Sequence, residues 1–276
     1  RRAGAAMQKC VINGITIGGD APVRLMGVIN CSVESFYNDS YVPTEKVRET
    51  AIAMVEQGAD LIDIGARSTA PNSQAISGTE EARRIDEALK ELDGTGITIS
   101  VDTMNPWVLD VCLKHGIHAV NDISGLASPA FAKRVADAGL PAFLMATGYQ
   151  PGDASGLDAT IGALMVVQQR CAAHGIDNYV LDPGIGIWTP QRTFDDNWEL
   201  CRHFDSFRRL DRPLLAAVSR KSFIGNLLEK EPVDRLAGSL AVTALLVERG
   251  ASIVRAHDVG ETRDVLRVCE RIAKVP

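Results

Sequence analysis

The sequence lacks any apolar run long enough to cross a membrane. The longest runs, such as residues 240–247, fall far short of the roughly 20 apolar residues that a bilayer-spanning helix needs. No charged segment followed by an apolar one opens the chain, so it shows no secretory signal. Both absences predict a protein that works in the cytoplasm and contacts no membrane.

Cysteine and positive charge are also scarce. The six cysteines are scattered without a Cys-x-x-Cys pair, so we expect reduced thiols rather than a disulfide scaffold. The net charge of −6 argues against a nucleic-acid surface, which requires clustered lysine and arginine. Any anion site in this protein must therefore be local.

What the sequence does have is a regular alternation of short apolar runs with stretches of helical periodicity, which is typical of βαβ units. The eight apolar runs are residues 25–29, 61–64, 97–101, 119–120, 142–145, 179–181, 214–218 and 253–256. The helical stretches include residues 44–57, with Thr44 as its cap, and residues 79–92, 106–115, 129–138 and 261–273.

Eight consecutive βα units close more naturally into a TIM (β/α)8 barrel than into an open sheet, although a doubly wound sheet remains the alternative. Residues 10–17, with Asn13-Gly14 at the centre, predict a short N-terminal hairpin that plugs the barrel floor. We expect residues 1–9 to form a tail and residues 10–276 to form one barrel domain.

Polar residues follow most of the apolar runs. In barrels of this kind the carboxyl ends of the strands face the catalytic mouth, so these side chains should converge on one cavity. Asp102, Asn121, Asp182 and Lys221 could together read the edge of a flat heterocycle by hydrogen bonds. The polar residues at or after the runs are Asn30, Asp63, Asp102, Asn121, Asp122, Asp182, Ser219-Arg220-Lys221 and His257.

The last two strands supply positive charge, at the place where barrels often hold phosphate groups. Arg220, Lys221, Arg255 and His257 all come from this part of the chain. Asn30 could bind a phosphate oxygen or a hard cation such as Mg²⁺. The polar loops at residues 31–43 and 66–78 have compositions suited to mobile lids.

Eight segments in this order resemble the dihydropteroate synthase family, from about Met26 to the C-terminus. They are Met26-Gly27-Val28-Ile29-Asn30 with Ser35-Phe36; Asp63-Ile64-Gly65 with Ser68-Thr69 and Pro71; Ser100-Val101-Asp102-Thr103; Asn121-Asp122-Ile123-Ser124-Gly125; Asp182-Pro183-Gly184-Ile185-Gly186; Ser219-Arg220-Lys221-Ser222-Phe223-Ile224-Gly225; Arg235-Leu236-Ala237-Gly238-Ser239; and Ile253-Val254-Arg255-Ala256-His257-Asp258-Val259.

The resemblance implies an enzyme that condenses a 7,8-dihydropterin-6-methyl diphosphate with p-aminobenzoate or a related arylamine and releases pyrophosphate with help from Mg²⁺. It implies that Asp102, Lys221 and Asn30 are catalytic, and that Asn30 also holds the metal. The pterin would be bound by Asp102, Asn121, Asp182 and Lys221, the diphosphate by Asn30, Arg255 and His257, and the arylamine by Thr69, Pro71 and Ser222. The family also implies a homodimer, for which the helices at residues 240–249 and 261–273 are candidates.

Three departures from the family pattern border the expected acceptor side. The usual Glu-Ser-Thr-Arg-Pro is Arg67-Ser68-Thr69-Ala70-Pro71, and the usual Met-His-Met is Met145-Ala146-Thr147. Ile187 stands where the family has an aromatic residue, and Trp188 follows it. We therefore hypothesise an altered acceptor, such as the phosphoribosylated arylamine of methanopterin synthesis, with Arg67 as its phosphate ligand. A pterin-dependent corrinoid methyltransferase and a non-catalytic pterin-binding protein remain the alternatives.

Overall fold

A computed structural model describes residues 8–32, 41–67 and 76–273, and it begins with the predicted hairpin. Strands β1 (Cys10–Ile12) and β2 (Ile15–Ile17) pair antiparallel, and Asn13 and Gly14 both adopt positive φ angles, of 47° and 79°. Positive φ at both turn residues matches the twist of the flanking strands, which explains why this turn has the Asn-Gly sequence.

The hairpin plugs the amino end of the barrel, as predicted. Its fully buried residues Cys10, Ile12 and Ile17 form one cluster with side chains from seven barrel strands. Asn13 Nδ2 donates to Thr98 Oγ1 at 2.9 Å, and Thr98 directly precedes a barrel strand at its amino end. The barrel residues of this cluster are Met26, Leu61, Ala119, Phe143, Val180, Leu215 and Ile253.

Eight parallel strands form the barrel, so the alternative of a doubly wound sheet is wrong. The order of hydrogen-bonded neighbours is β8-β7-β6-β5-β4-β3-β10-β9. A parallel bridge between Leu181 and Leu214 joins the two edges of this sheet and completes the ring. The strands are β3 (Arg24–Asn30), β4 (Leu61–Gly65), β5 (Ile99–Asp102), β6 (Ala119–Asp122), β7 (Ala142–Met145), β8 (Tyr179–Asp182), β9 (Leu215–Ala216) and β10 (Ile253–Ala256).

The helices surround the ring and bury their apolar faces against it. They are α1 (Val47–Glu56), α2 (Gly78–Leu92), α3 (Pro106–Cys112), α4 (Pro129–Asp137), α5 (Leu157–His174), α6 (Phe194–Arg202), α7 (Ser222–Leu228), α8 (Leu236–Glu248) and α9 (Val259–Ala273). Short 3-10 helices cover Thr44–Lys46, Phe204–Leu210 and Pro232–Asp234. None of the helices in the described ranges is long and apolar enough to span a bilayer.

Three helix starts differ from the sequence-based boundaries, including that of α9, which begins at Val259 rather than at residue 261. Thr44 was expected to cap the first helix, but it opens a 3-10 turn instead, and α1 begins at Val47 without a side-chain cap. The cap of α2 is Ser77, which accepts the backbone N–H of Glu80 at 3.2 Å, so this helix begins at Gly78. All six cysteines lie in the described ranges, and none of them forms a disulfide there.

Candidate active site

The carboxyl ends of the strands hold the polar residues predicted for the mouth. Asn30, Asp102, Asp122 and Asp182 are the last residues of their strands rather than the first residues after them. Each of them belongs to the parallel ladder of its strand, and this fixes the position from which its side chain starts. The mouth is therefore built on rigid backbone rather than on loops alone.

A buried network links four strands of the barrel. Arg255 of β10 donates from Nε to Asp63 Oδ2 at 2.8 Å and from Nη2 to Asp102 Oδ2 at 3.2 Å. Asn121 of β6 donates from Nδ2 to the same oxygen of Asp63, at 2.9 Å. The network thus joins two acids, one arginine and one amide across β4, β5, β6 and β10.

Asp102 lies in an environment that opposes its charge. Burial raises the pKa of this carboxyl group, and the neighbouring Asp63 carboxylate raises it further. The nearby Arg255 and Arg67 guanidinium groups act in the opposite direction, towards a lower pKa. Asp102 is therefore poised to gain or lose a proton closer to neutral pH than an ordinary aspartate.

Asp182 and Lys221 place opposite charges near each other at the mouth. Asp182 Oδ1 accepts the backbone N–H of Gly184 at 2.7 Å, and burial raises the pKa of Asp182. Burial lowers the pKa of Lys221 to about 8, although the Asp182 carboxylate favours its charged form. An acceptor and a cation, both screened little by water, are thus available to a polar ligand.

Trp188 packs beside Lys221. Lys221 Nζ lies 5.0 Å from the centroid of the Trp188 ring, and Trp188 Nε1 donates to the carbonyl of Gly184 at 2.9 Å. A Cβ at Gly186, where φ is 152°, would come within 3.1 Å of Trp188 Nε1 and 3.2 Å of Lys221 Nζ. The glycine allows this close packing, so an aromatic wall is present here although Ile187 stands at the family's aromatic position.

Ser219 controls how His257 presents its ring. The Ser219 Oγ accepts the backbone N–H of His257 at 3.2 Å and lies 3.0 Å from its Nδ1. Burial, with the nearby Arg255 and Arg220 charges, lowers the pKa of His257 to about 3, so the imidazole is neutral at physiological pH. Since the Ser219 hydroxyl can donate to Nδ1, the ring proton is assigned to Nε2, where it can donate to an anionic oxygen.

The remaining cation of this region has a carboxylate partner. Arg220 Nη2 donates to Asp258 Oδ1 at 2.6 Å, and Nε donates to Oδ2 at 3.1 Å. This paired geometry compensates the charge of Arg220. Lys221, Arg255 and His257 are brought to the mouth as predicted, and Ser222 lies next to Lys221 at the first position of α7.

Asn30 could contribute one ligand to a metal ion but not a complete metal site. Its Oδ1 accepts the backbone N–H of Ser32 at 3.0 Å. The described ranges contain no cluster of three or more His, Cys, Asp or Glu side chains that could hold a metal. This arrangement fits Mg²⁺ only if phosphate oxygens and water supply most of its ligands, which is how this ion often binds.

A cavity of about 220 Å³ opens at the same end of the barrel. Arg67 lines this cavity together with apolar and uncharged polar side chains, so the lining carries one positive charge. Thr69 and Pro71 lie outside the described residues, as do Ser35 and Phe36. The cavity is lined by Arg67, Met104, Ile123, Gln150, Pro151, Trp188 and Thr189.

Two arginines that the sequence analysis did not select, the half-buried Arg170 and the buried Arg192, hold the loops of the mouth. Arg170 of α5 donates to the backbone carbonyls of Thr147 and Gly148, at 2.9 and 2.6 Å. Arg192 donates to the carbonyl of Ala154 at 3.1 Å. No periodic pattern in the sequence marks either residue, since their partners are backbone atoms of distant loops.

Comparisons with known proteins agree with this geometry. Residues 26–257 match the family model described as pterin binding enzyme. The chain is 34% identical over 261 residues to the dihydropteroate synthase of Escherichia coli strain K12, covering 90% of each protein.

Two solved structures share the fold over nearly the whole chain. The first is a dihydropteroate synthase from Coxiella burnetii in complex with pteroic acid, with a TM-score of 0.86, 29% identity and coverage of 97% of this chain and 99% of that one. The second is the Xanthomonas albilineans dihydropteroate synthase in complex with 7,8-dihydropteroate, with a TM-score of 0.83, 31% identity and coverage of 98% and 100%.

Proposed function

Because the chain belongs to the dihydropteroate synthase family of pterin binding enzymes, we propose that it joins a 7,8-dihydropterin-6-methyl group to an arylamine such as p-aminobenzoate. The observation that carries this proposal is the convergence of acceptors and cations at the mouth. Asp102, Asn121 and Asp182 offer oxygen atoms, and Lys221 and Arg255 offer N–H groups. This set is complementary to a 2-amino-4-oxo-pyrimidine edge, which has both donors and acceptors.

The two ends of the substrate are held by different residues. The pterin ring is bound by Asp102, Asn121, Asp182 and Lys221. The diphosphate extends towards the positive side of the mouth, where Arg255 and the Nε2–H of His257 donate to its oxygens. This division supports bond cleavage, because charge that develops on the departing group meets preorganised donors.

The reaction exchanges one bond at the pterin methylene carbon. The C–O bond breaks and its electron pair leaves with the diphosphate, while the arylamine nitrogen forms the new C–N bond and then loses a proton. A carboxylate near the ring, Asp102, favours the positive charge that develops on the pterin. Mg²⁺, held by the substrate diphosphate and Asn30, would neutralise the leaving group.

The residues that border the acceptor depart from the family. We propose that Thr69, Pro71 and Ser222 border the arylamine and that Arg67 binds an additional anionic group on it, as in a phosphoribosylated arylamine. The position of Arg67 on the cavity wall supports this proposal. A turnover rate with p-aminobenzoate equal to or above that with the phosphorylated arylamine would contradict it.

The proposed reaction is tested by the product. The purified protein, incubated with the dihydropterin diphosphate, Mg²⁺ and p-aminobenzoate, should give dihydropteroate, identified by mass spectrometry, in a 1:1 ratio to pyrophosphate. Binding of the pterin without any product would instead favour a non-catalytic binding protein, and methyl transfer from a methylated pterin would favour the corrinoid methyltransferase.

We further propose a cytoplasmic homodimer that associates through α8 and α9. Leu245, Val268 and Ile272 expose large apolar side chains on these helices, and exposed apolar patches often mark interfaces. Sedimentation velocity should show a dimer that a Val268→Glu, Ile272→Glu variant converts to a monomer. A wild-type monomer at micromolar concentration would contradict this proposal.

A further inference from the structure

Asp63 is a charged residue in a segment where every residue is buried. Strand β4, Leu61–Gly65, has no exposed position, and Asp63 itself is 0% exposed. A carboxylate removed from water is costly unless charged or hydrogen-bonding groups compensate it. The neighbours of Asp63 therefore show what the residue is for.

One oxygen of Asp63 holds two residues of the proposed substrate site, Asn121 on the pterin side and Arg255 on the diphosphate side. Its Oδ2 accepts from Arg255 Nε at 2.8 Å and from Asn121 Nδ2 at 2.9 Å. Its Oδ1 is buried and has no hydrogen-bond partner among the residues of the described ranges. The carboxylate is thus tied to the mouth through a single oxygen, and the other oxygen is not satisfied by the fold.

The contact with Asp63 fixes which end of the Asn121 amide faces the ligand. A carboxylate only accepts hydrogen bonds, so the NH₂ group of Asn121 must point towards Asp63. Within the described part of the chain no other side chain bonds to this amide, and its Oδ1 is left as an acceptor. Asn121 can therefore receive an N–H group from a heterocycle at its Oδ1, while one of its two amide N–H groups is committed to Asp63.

The same carboxylate fixes the plane of the Arg255 guanidinium. Nε bonds to Asp63 and Nη2 bonds to Asp102, and these two anchors define the orientation of the planar group. No described residue accepts from Nη1, which is consequently the part of Arg255 that can meet an anionic oxygen. These two contacts therefore orient the guanidinium group before any ligand binds.

We propose that Asp63 is the positioning residue of the mouth, which touches no substrate but sets Asn121 as a hydrogen-bond acceptor and directs Arg255 towards the anionic part of the ligand. The substrate class that follows is a heterocycle whose edge presents N–H groups to Asn121. This inference deepens the proposed function and rests on it.

The test compares two variants of Asp63 with a matched pair at Asp60. Asp63→Asn keeps an oxygen that can accept from Asn121 and Arg255, whereas Asp63→Ala removes it. Asp60 directly precedes the same strand at its amino end and also binds arginine side chains, Arg24 and Arg263. Asp60→Asn and Asp60→Ala therefore report the effect of a lost carboxylate on the barrel alone.

The probe is 6-hydroxymethylpterin, and the readout is its dissociation constant by titration calorimetry at pH 7.5. Asp63→Ala should weaken binding by about tenfold or more, because Asn121 loses the carboxylate that orients its amide towards the pterin, while Asp63→Asn should retain most of the affinity. Both Asp60 variants should bind as the wild type does. Equal losses in Asp63→Asn and Asp63→Ala, or equal losses in the Asp60 variants, would overturn the proposal.

The pH dependence of binding supplies a readout that a purely structural role would not move. Asp102 faces Asp63, Arg255, Arg67, Glu81 and Lys221, and the Asp63 carboxylate favours its protonated form. In Asp63→Asn this repulsion is gone, so the acid limb of pterin binding should move to lower pH. An unmoved limb would count against the proposal, and this measurement decides the matter if Asp63→Ala does not fold.

Wild-type protein separates the two possible failures. If the wild type does not bind the pterin at any pH, the proposed function is wrong. If it binds and Asp63→Ala binds equally well, the function stands and the role assigned to Asp63 is wrong.

Discussion

Two aspartates near β4, Asp60 directly before the strand and Asp63 in its middle, are paired in different ways. At the floor, both oxygens of Asp60 have partners: Oδ2 accepts from the Leu25 backbone and from Arg263, and Oδ1 accepts from Arg24. At the mouth, Asp63 shares one oxygen between two partners, and its other oxygen has none among the described residues. The floor is satisfied internally, whereas the mouth keeps hydrogen-bonding capacity that the fold does not use.

This difference indicates which contacts serve stability and which serve binding. Buried polar atoms without partners are few in native proteins, and those that occur often mark functional sites. The hairpin and Asp60 close the amino end of the barrel with complementary groups. At the other end, burial raises the pKa values of Asp102 and Asp182 and lowers the pKa of the nearby Lys221. Perturbed groups of this kind cluster at active sites.

The largest expected effect is at Asp102. Asp102→Asn removes a carboxylate that can accept two N–H groups of the pterin, so binding of 6-hydroxymethylpterin should weaken by about 100-fold. The thermal stability of the variant should stay the same or rise. Because burial raises the pKa of Asp102, its ionised carboxylate destabilises the folded wild type at neutral pH, and this cost disappears only as falling pH protonates the group. Calorimetric titration and thermal unfolding measure the two effects. A variant that binds normally but unfolds more easily would reverse the assignment of the mouth to function.

The floor should show the opposite pattern. Asp60→Ala leaves Arg24, Arg263 and the Leu25 N–H without their acceptor, and we expect the free energy of unfolding to fall by about 2 kcal/mol. Urea denaturation gives this value. Turnover at a temperature where the variant is folded should remain at the wild-type level, and a fall in turnover there would break the proposed separation of the two ends.

A smaller effect is expected from pH. Because burial lowers the pKa of Lys221 to about 8, this cation is lost as pH rises through that value, and substrate binding should weaken by about tenfold per pH unit above it. Lys221→Arg keeps the charge, so its basic limb should move to higher pH. The ratio kcat/KM, measured from pH 6 to 10, gives the basic limb of the profile. If Lys221 causes this limb, the fall near pH 8 must be absent in the Lys221→Arg variant.

The smallest effect is expected at Trp188. Trp188→Phe removes the donor to Gly184 and weakens the contact between the ring and Lys221, which together are worth about 1 kcal/mol. We expect KM for the pterin substrate to rise by about fivefold with little change in kcat. Steady-state kinetics distinguishes this result from a fall in kcat alone, which would assign Trp188 to the chemical step.

The sequence predicted the parts of the molecule that depend on local patterns. Alternating apolar runs specify eight strands, and Asn-Gly specifies the hairpin turn, because both follow from backbone geometry. The polar residues at the strand ends were recognisable for the same reason. Asp63 was among them, yet nothing in the sequence separated its role from that of Asp122, whose carboxylate holds the backbone of Ser124 and Leu126.

Contacts between distant residues could not be predicted in this way. Asp63 and Arg255 are 192 positions apart, and their hydrogen bond depends on the register of strands that meet only in the closed barrel. The proton position on His257 likewise depends on Ser219, which belongs to another βα unit. The contact between Trp188 and Lys221 could not be predicted either, because it depends on the close packing around Gly186.

The most direct test of the account is pyrophosphate release by the wild type and by Asp102→Asn, with dihydropterin-6-methyl diphosphate and Mg²⁺, in the presence and absence of an arylamine. The account predicts release that requires both the arylamine and the Asp102 carboxylate. Release that is independent of the arylamine, or unchanged in Asp102→Asn, would contradict the claim that this mouth binds the pterin and transfers it to an amine.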